Sequence, residues 1–309
     1  MAIVRAAVVQ DAPVAFQIVP TLEKIRAWLA RAAAAGVSLA VFPEAFLGGY
    51  PKGHDFGARV GFRTPEGRDW FRRYCEAAIP VPGAETAQLA EWSHEFGLWF
   101  VLGVIERIAG TLYCTALTFS PQHGLAGIHR KTMPTAMERL VWGWGDGSTL
   151  RAVVSPWGPL AMAICWENYM PLLRTQYYAQ SVHLWCAPTV DDRETWLSTM
   201  RHIALEGRCF VLSANQFARR GDYPGDYPVV GESSDVLIRG GSCIIGPLGE
   251  LLAGPLFGEP AILTAELDLD QIPRARMDFD ATGHYGRPDL FQLHVNRSVQ
   301  QVVMPEVGE

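Results

Sequence analysis

The chain has 309 residues, 49% of them apolar and 19% charged, with 26 basic against 32 acidic side chains and a formal net charge of −6. A chain of this length buries roughly three quarters of its unfolded surface, so a large apolar core is expected and disorder is excluded. The mildly acidic balance, without a basic block, argues against nucleic acid or an anionic membrane as partner.

In chain order, the apolar, β-branched start up to Gln10 reads as a strand, since it has neither a basic lead nor a cleavage site. A helix is expected over about 20–35, with Pro20 near its start and Gly36 where it stops. Ser38 to Phe42 is a short run fit for a strand buried on both faces. Helical patterns follow at about 66–78 and 84–96. Leu98 to Ile105 and Leu112 to Ser120 form a strand pair around a turn at Gly110. Arg151 to Ser155 and Leu160 to Ile164 flank Pro156-Trp157-Gly158-Pro159, a hairpin turn. A helix at about 170–181 leads to a strand at Val182 to Cys186, and a helix at about 192–206 leads to a strand at Cys209 to Ser213. Strands at 241–245, 250–253 and 262–266 complete the pattern. No linker or repeat interrupts it, so residues 1–280 are expected to form one domain of α and β layers. Residues 281–309 are polar, aromatic and aperiodic, and read as a tail lying on the body or on a partner subunit. No apolar run approaches the ~20 residues that span a bilayer.

Six cysteines, Cys75, Cys114, Cys165, Cys186, Cys209 and Cys243, form no C-x-x-C pair, which excludes a zinc ribbon or a thioredoxin-like motif. They read as reduced thiols of a cytoplasmic protein. The eight histidines form neither H-x-x-x-H nor H-E-x-x-H, so no metal site is expected. His129 reads as a structural group.

Three segments place a polar residue at the end of an apolar strand, where α/β sheets bind ligands. In Phe42-Pro43-Glu44, the carboxylate leaves a buried strand. On position alone it fits a general base of raised pKa or an ion-pair partner equally. In His129-Arg130-Lys131, the lysine fits an anion-stabilising role or a solvated basic turn. In Ile164-Cys165-Trp166, the cysteine ends a strand at a turn into a helix. There it fits an exposed nucleophile or a small core residue.

Taken together in the order Glu, Lys, Cys, these words resemble the nitrilase superfamily. Phe42-Pro43-Glu44, His129-Arg130-Lys131 and Cys165-Trp166-Glu167-Asn168-Tyr169-Met170-Pro171-Leu172 are similar to the true nitrilase branch, as is Gly283-His284-Tyr285-Gly286-Arg287-Pro288-Asp289 near the C-terminus. The amidase and carbamoylase branches usually carry tyrosine and aspartate just after the cysteine.

The resemblance implies a four-layer αββα sandwich and a cofactor-free, metal-free thiol hydrolase that converts small nitriles to acids and ammonia. It implies Cys165 as nucleophile, Glu44 as base, Lys131 as electrostatic partner and Glu138 as the second glutamate that positions the lysine and water. The Trp166 backbone N–H is expected to help Lys131 stabilise negative charge. Among the aromatics Tyr50, Trp142, Trp166, Trp185 and Trp196, the substrate pocket is expected to use Tyr50, Trp166 and Trp185. Homo-oligomers, from dimers to spirals, are expected; Arg201 to Gly207 reads as the polar face of a helix and fits equally a solvated face or the dimer contacts that helices of this region form in such enzymes. A cyanide-processing relative, an amidase and a silent assembly protein are the alternatives.

Overall fold

The computed structural model describes residues 3–229 and 234–301. The first half of the chain gives β1 (Ile3–Gln10), α1 (Ile18–Ala34), β2 (Leu39–Val41), α2 (Pro65–Glu76), α3 (Ala84–Phe96), β3 (Trp99–Ile108), β4 (Thr111–Ser120) and β5 (Gly124–Arg130). The second half gives β6 (Val153–Ser155), β7 (Gly158–Met162), α4 (Pro171–Tyr178), β8 (Leu184–Thr189), α5 (Glu194–Gly207), β9 (Phe210–Asn215), β10 (Phe217–Arg219), β11 (Val236–Ile245), β12 (Leu251–Phe257), β13 (Ala261–Asp268) and α6 (Gln271–Arg276).

The strands make two sheets. One runs β13-β1-β2-β3-β4-β5, and the other β10-β11-β9-β8-β7-β6, with β12 paired to β11. The centre of the first sheet is parallel (β1, β2, β3), as is that of the second (β7, β8, β9). Parallel strands buried on both faces need an apolar covering on each side. Three apolar clusters supply it. Val8, Val41, Val101, Met162, Ile164, Cys186 and Leu212 fill the space between the sheets. Ala7, Ala40, Phe42 and Phe100 face outward beneath Ile25 and Leu29 of α1 and Leu89 of α3. Ala161, Ala163, Trp185 and Val211 face outward beneath Tyr177 of α4 and Met200 and Ile203 of α5. Alternate residues of one strand thus serve different layers, as the two-residue strand period requires. The layer order is the expected αββα sandwich.

Three elements lie outside the expected pattern. The strand ahead of Lys131 spans seven residues, β5, and is only partly buried. Ala218 lies in a three-residue strand, β10, and Gln271–Arg276 form the short helix α6. Strands β11 and β12 run longer than the expected 241–245 and 250–253, starting at Val236 and ending at Phe257 respectively. The other helices and strands fall within a few residues of their expected bounds.

The tail runs along the surface. Thr282 Oγ1 donates to the carbonyl of Tyr178, and Gln300 N donates to Asp146 Oδ2 at 2.8 Å. Tyr285, Leu290 and Phe291 between these points are exposed. Residues 302–309 of the expected tail lie outside the described residues. Among the described residues, no helix is long and apolar enough to cross a membrane.

Candidate active site

Strand β2 is only three residues long, and the backbone beyond it sets the position of Glu44. Phe42 N still bonds to Val101 O of β3, and Leu47 N bonds to Gly103 O. Between them, Pro43 to Phe46 bulge out over β3. The bulge lies so close that a Cβ on Gly103 would meet Pro43 O at 2.3 Å and Glu44 Cα at 2.7 Å. Only glycine leaves room for it. Glu44 is thereby turned, fully buried, toward the space between the sheets.

Lys131 is the first residue after β5, and its backbone N donates to Cys114 O of β4. Cys165 opens a 3₁₀ turn, Cys165–Tyr169, just beyond β7. Its φ of 49° is left-handed, as are Ala45 (50°), next to Glu44, and Ala136 (43°), two residues before Glu138. Such backbone is costly for residues with a Cβ, and it clusters where a side chain must be presented in one direction. Each of the three segments carries one such residue.

The lysine ties the first sheet's groups together. Lys131 Nζ lies 2.6 Å from Glu44 Oε1 and 2.7 Å from Glu138 Oε2, and Lys131 is 1% exposed. Glu138 is held further by Thr135 N at 2.6 Å and by the Tyr50 hydroxyl at 2.9 Å. Cys114 Sγ donates to Glu44 Oε1 at 3.5 Å, and Gln216 Nε2 bonds to the Glu44 carbonyl at 2.8 Å. Glu44 Oε2 has no hydrogen-bond partner among the described residues.

Burial raises the Glu44 pKa to about 7 against the opposing pull of Lys131. Burial alone would lower the Lys131 pKa, but Glu44 and Glu138 hold it well above its ordinary value. Burial pushes the Cys165 thiol up, and Glu44 adds to this, while Lys131 and a hydrogen bond from Thr189 oppose it. A base poised near neutrality, a fixed ammonium and a buried thiol thus share one cluster.

The second sheet fixes the nucleophile through groups that sequence reasoning did not single out. Glu167 is fully buried and accepts four hydrogen bonds: from Thr132 N (2.7 Å), Thr132 Oγ1 (2.5 Å), Ile164 N (2.8 Å) and His129 Nε2 (2.8 Å). It therefore joins the turn bearing Cys165 to the strand end bearing Lys131. His129 has the structural role expected of it. Asn168 Nδ2 bonds to Cys165 O and Ala163 O, each at 2.8 Å, which braces the turn from within. A signal was present, since a glutamate and an asparagine stand in an otherwise apolar stretch. Their partners are far off in the chain.

A cavity of about 270 Å³ is lined by Cys165, Tyr50, Trp166, Glu138, Asp191 and Arg193, among others. A neighbouring cavity of about 430 Å³ shares Tyr50, Lys52, Thr135 and Glu138 with it and extends to His54, Met137 and Leu140. Tyr50 and Trp166 thus line the space beside Cys165. Trp185 does not. It lies on the outward face of β8, fully buried against Tyr177 and Tyr178, and its Nε1 donates to Asn168 Oδ1 at 2.7 Å. The expectation that it lines the pocket is corrected: strand parity points it into the helical layer. Trp142 lies beneath Tyr50, and Trp196 is buried in the helical layer. Among the described residues, no group of three or more His, Cys, Asp or Glu is placed to hold a metal ion.

The carbon-nitrogen hydrolase family model matches residues 5–277. An aliphatic nitrilase of Sinorhizobium fredii (strain HH103) is 57% identical over 302 residues, covering 97% of this chain and 98% of the relative. An arylacetonitrilase of Trametes versicolor is 52% identical over 307 residues, covering 94% and 96%. The C. elegans NitFhit crystal structure superposes with a TM-score of 0.75 at 18% identity, covering 98% of this chain and 69% of that one. The last match carries the fold alone. The chain belongs to the carbon-nitrogen hydrolase family, and its curated relatives place it in the nitrilase branch.

Proposed function

We propose that this chain is a nitrilase that hydrolyses organic nitriles to carboxylic acids and ammonia, with Cys165 as nucleophile, Glu44 as base and Lys131 as the charge-stabilising group. The observation that carries the reading is the Lys131 ammonium fixed between Glu44 and Glu138, beside a cavity that Glu138 and Cys165 both line. The relatives named for nitrile hydrolysis at 52–57% identity support the substrate class.

A nitrile carbon is a weak electrophile and calls for a soft, strong nucleophile. Glu44 takes the Cys165 proton, sulfur bonds to the nitrile carbon, and the proton passes to nitrogen, giving a thioimidate. Glu44 then deprotonates a water that adds to the same carbon. Glu44 returns that proton to nitrogen, the hydroxyl proton follows it, the C–N bond breaks, ammonia leaves, and a thioester remains. A second water breaks the C–S bond, releases the acid and restores the thiol. Charge that builds on nitrogen and then on oxygen meets Lys131 Nζ and the Trp166 N–H, one of the first N–H groups of a 3₁₀ turn, which such a turn leaves without an internal partner. Loss of sulfur instead of nitrogen at the tetrahedral stage releases an amide, which gives the by-product.

Glu138 acts through Lys131, and Tyr50 holds Glu138. Self-association belongs to the same reading. The test is a panel of aliphatic, aryl and arylaceto nitriles together with cyanide, read by ammonia, acid and amide. Ammonia and acid from at least one organic nitrile are expected. Turnover of cyanide alone would favour the cyanide-processing alternative, and amide hydrolysis without nitrile turnover would favour an amidase.

A further inference from the structure

The nucleophile has a polar partner that takes no part in the proton transfers of nitrile hydrolysis. Thr189 is the last residue of β8, the strand beside β7, and it is fully buried. Its Oγ1 lies 3.3 Å from Cys165 Sγ. The same oxygen accepts the backbone N–H of Asp191 at 3.0 Å. A hydroxyl has one hydrogen and two lone pairs. With a lone pair engaged by Asp191 N, the hydrogen is free to lie along the contact with sulfur, so Thr189 donates and Cys165 accepts.

The site needs such a donor. Burial and the two carboxylates all disfavour a thiolate at Cys165. Lys131 opposes them, but two of its three N–H groups are engaged by Glu44 and Glu138. Among the described residues, Thr189 is the group seen donating a hydrogen bond to the sulfur. Its direction is fixed by a braced loop. The Asp191 carboxylate accepts Trp166 Nε1 at 2.9 Å and Arg193 Nε at 2.7 Å, and Arg193 Nη2 also bonds to it. The Arg193 guanidinium lies 4.8 Å from the Trp166 ring centre. Asn215 Nδ2 holds the Asp191 carbonyl at 2.8 Å. The loop that lines the mouth of the cavity therefore also aims the donor at the nucleophile.

We propose that the Thr189 hydroxyl, oriented by the Asp191 N–H, stabilises the Cys165 thiolate and so sets its reactivity, with Asp191 as the positioning residue. Thr189 keeps its own proton throughout; the thiol proton goes to Glu44. The inference rests on Cys165 being the nucleophile, but its test needs no nitrile.

Alkylation of Cys165 by iodoacetamide is followed as a function of pH, with peptide mass spectrometry to separate it from the other five cysteines. In Thr189→Val, the rate at neutral pH falls about ten-fold or more and the pH midpoint rises by about one unit, as expected when a hydrogen bond to an ionised group is lost. Thr189→Ser restores most of both. A structural role alone would lower stability without moving the midpoint. Thr189→Ala lacks the hydroxyl with less bulk, and it gives the same readout where Val folds poorly. Val and Ala variants that alkylate with the wild-type midpoint, or a Ser variant as slow as Val, overturn the proposal. Nitrile turnover measured beside it separates the two claims: alkylation that shifts as expected in a chain that turns over no nitrile supports Thr189 and counts against the functional reading.

Discussion

Replacing Glu167 with glutamine keeps its size and removes only its charge and half of its accepting capacity. In the native chain, Oε1 takes both donors of Thr132, and Oε2 takes Ile164 N and His129 Nε2. An amide turned either way sets its NH₂ against a backbone N–H, of Thr132 or of Ile164, which cannot accept. Burial acts to raise the Glu167 pKa, but His129 and the Thr132 donors outweigh it and hold the pKa below 4.5. The carboxylate is therefore a net stabiliser of the folded chain. Breaking a buried, fully bonded charge costs about 3–5 kcal/mol. With an unfolding entropy of about 2.1 cal/mol/K per residue, or about 0.65 kcal/mol/K for the whole chain, Tm falls by about 5–8 °C. Because the folded pKa is depressed, this contribution is complete above the unfolded carboxylate pKa. It is lost as pH falls through the folded value, so the Tm gap between wild type and variant narrows in acid. Ammonia release falls as well, since Glu167 joins the turn of Cys165 to the strand end of Lys131. Scanning calorimetry over a pH series, with activity on one good nitrile, makes the test. A variant with wild-type Tm and wild-type turnover would refute the view that Glu167 fixes the site.

Three further outcomes rest on the same geometry. Tyr50→Phe removes the 2.9 Å hydrogen bond to Glu138 and lowers kcat about ten-fold, as loss of a bond to a charged group does; unchanged kcat would remove Tyr50 from the lysine's support. With Glu44 raised to about 7 by burial and required as the ionised base, kcat/KM falls as pH drops through about 7. That limb belongs to the coupled Glu44, Lys131 and Glu138 cluster, and a profile flat down to the ordinary carboxylate range contradicts it. Trp185→Phe loses the bond to Asn168 and some packing, lowering stability by about 1–3 kcal/mol. It leaves the preference between aliphatic and aryl nitriles unchanged, and an altered preference would return Trp185 to the pocket.

The alternation of strands and helices, and the placement of Glu44, Lys131 and Cys165 at strand ends, were legible because each depends on local chemistry: an apolar run, then a polar residue at a turn. The αββα layer order and the choice among the readings open to those three residues came only with the resemblance. Glu138 was legible only through the resemblance, since its word Thr135-Ala136-Met137-Glu138 has no periodicity of its own. Trp185 was misplaced for a physical reason. Strand β8 is buried on both faces, so no polar alternation marks which side of Leu184–Thr189 meets the other sheet. The bounds of β5 were obscured by two glycines and by its partial exposure. Glu167 and Thr189 act through partners 35 and 24 residues away, a proximity set by strand order and not by local pattern.

The central claim is that one thiol carries the reaction. Its most direct test is ammonia release by Cys165→Ala, measured on a nitrile that the wild-type chain hydrolyses and paired with a Tm for each protein. The variant is predicted to melt close to the wild type and to release no ammonia above the uncatalysed rate. Sustained ammonia release by a folded Cys165→Ala chain would contradict the assignment of Cys165 as nucleophile, and with it the mechanism.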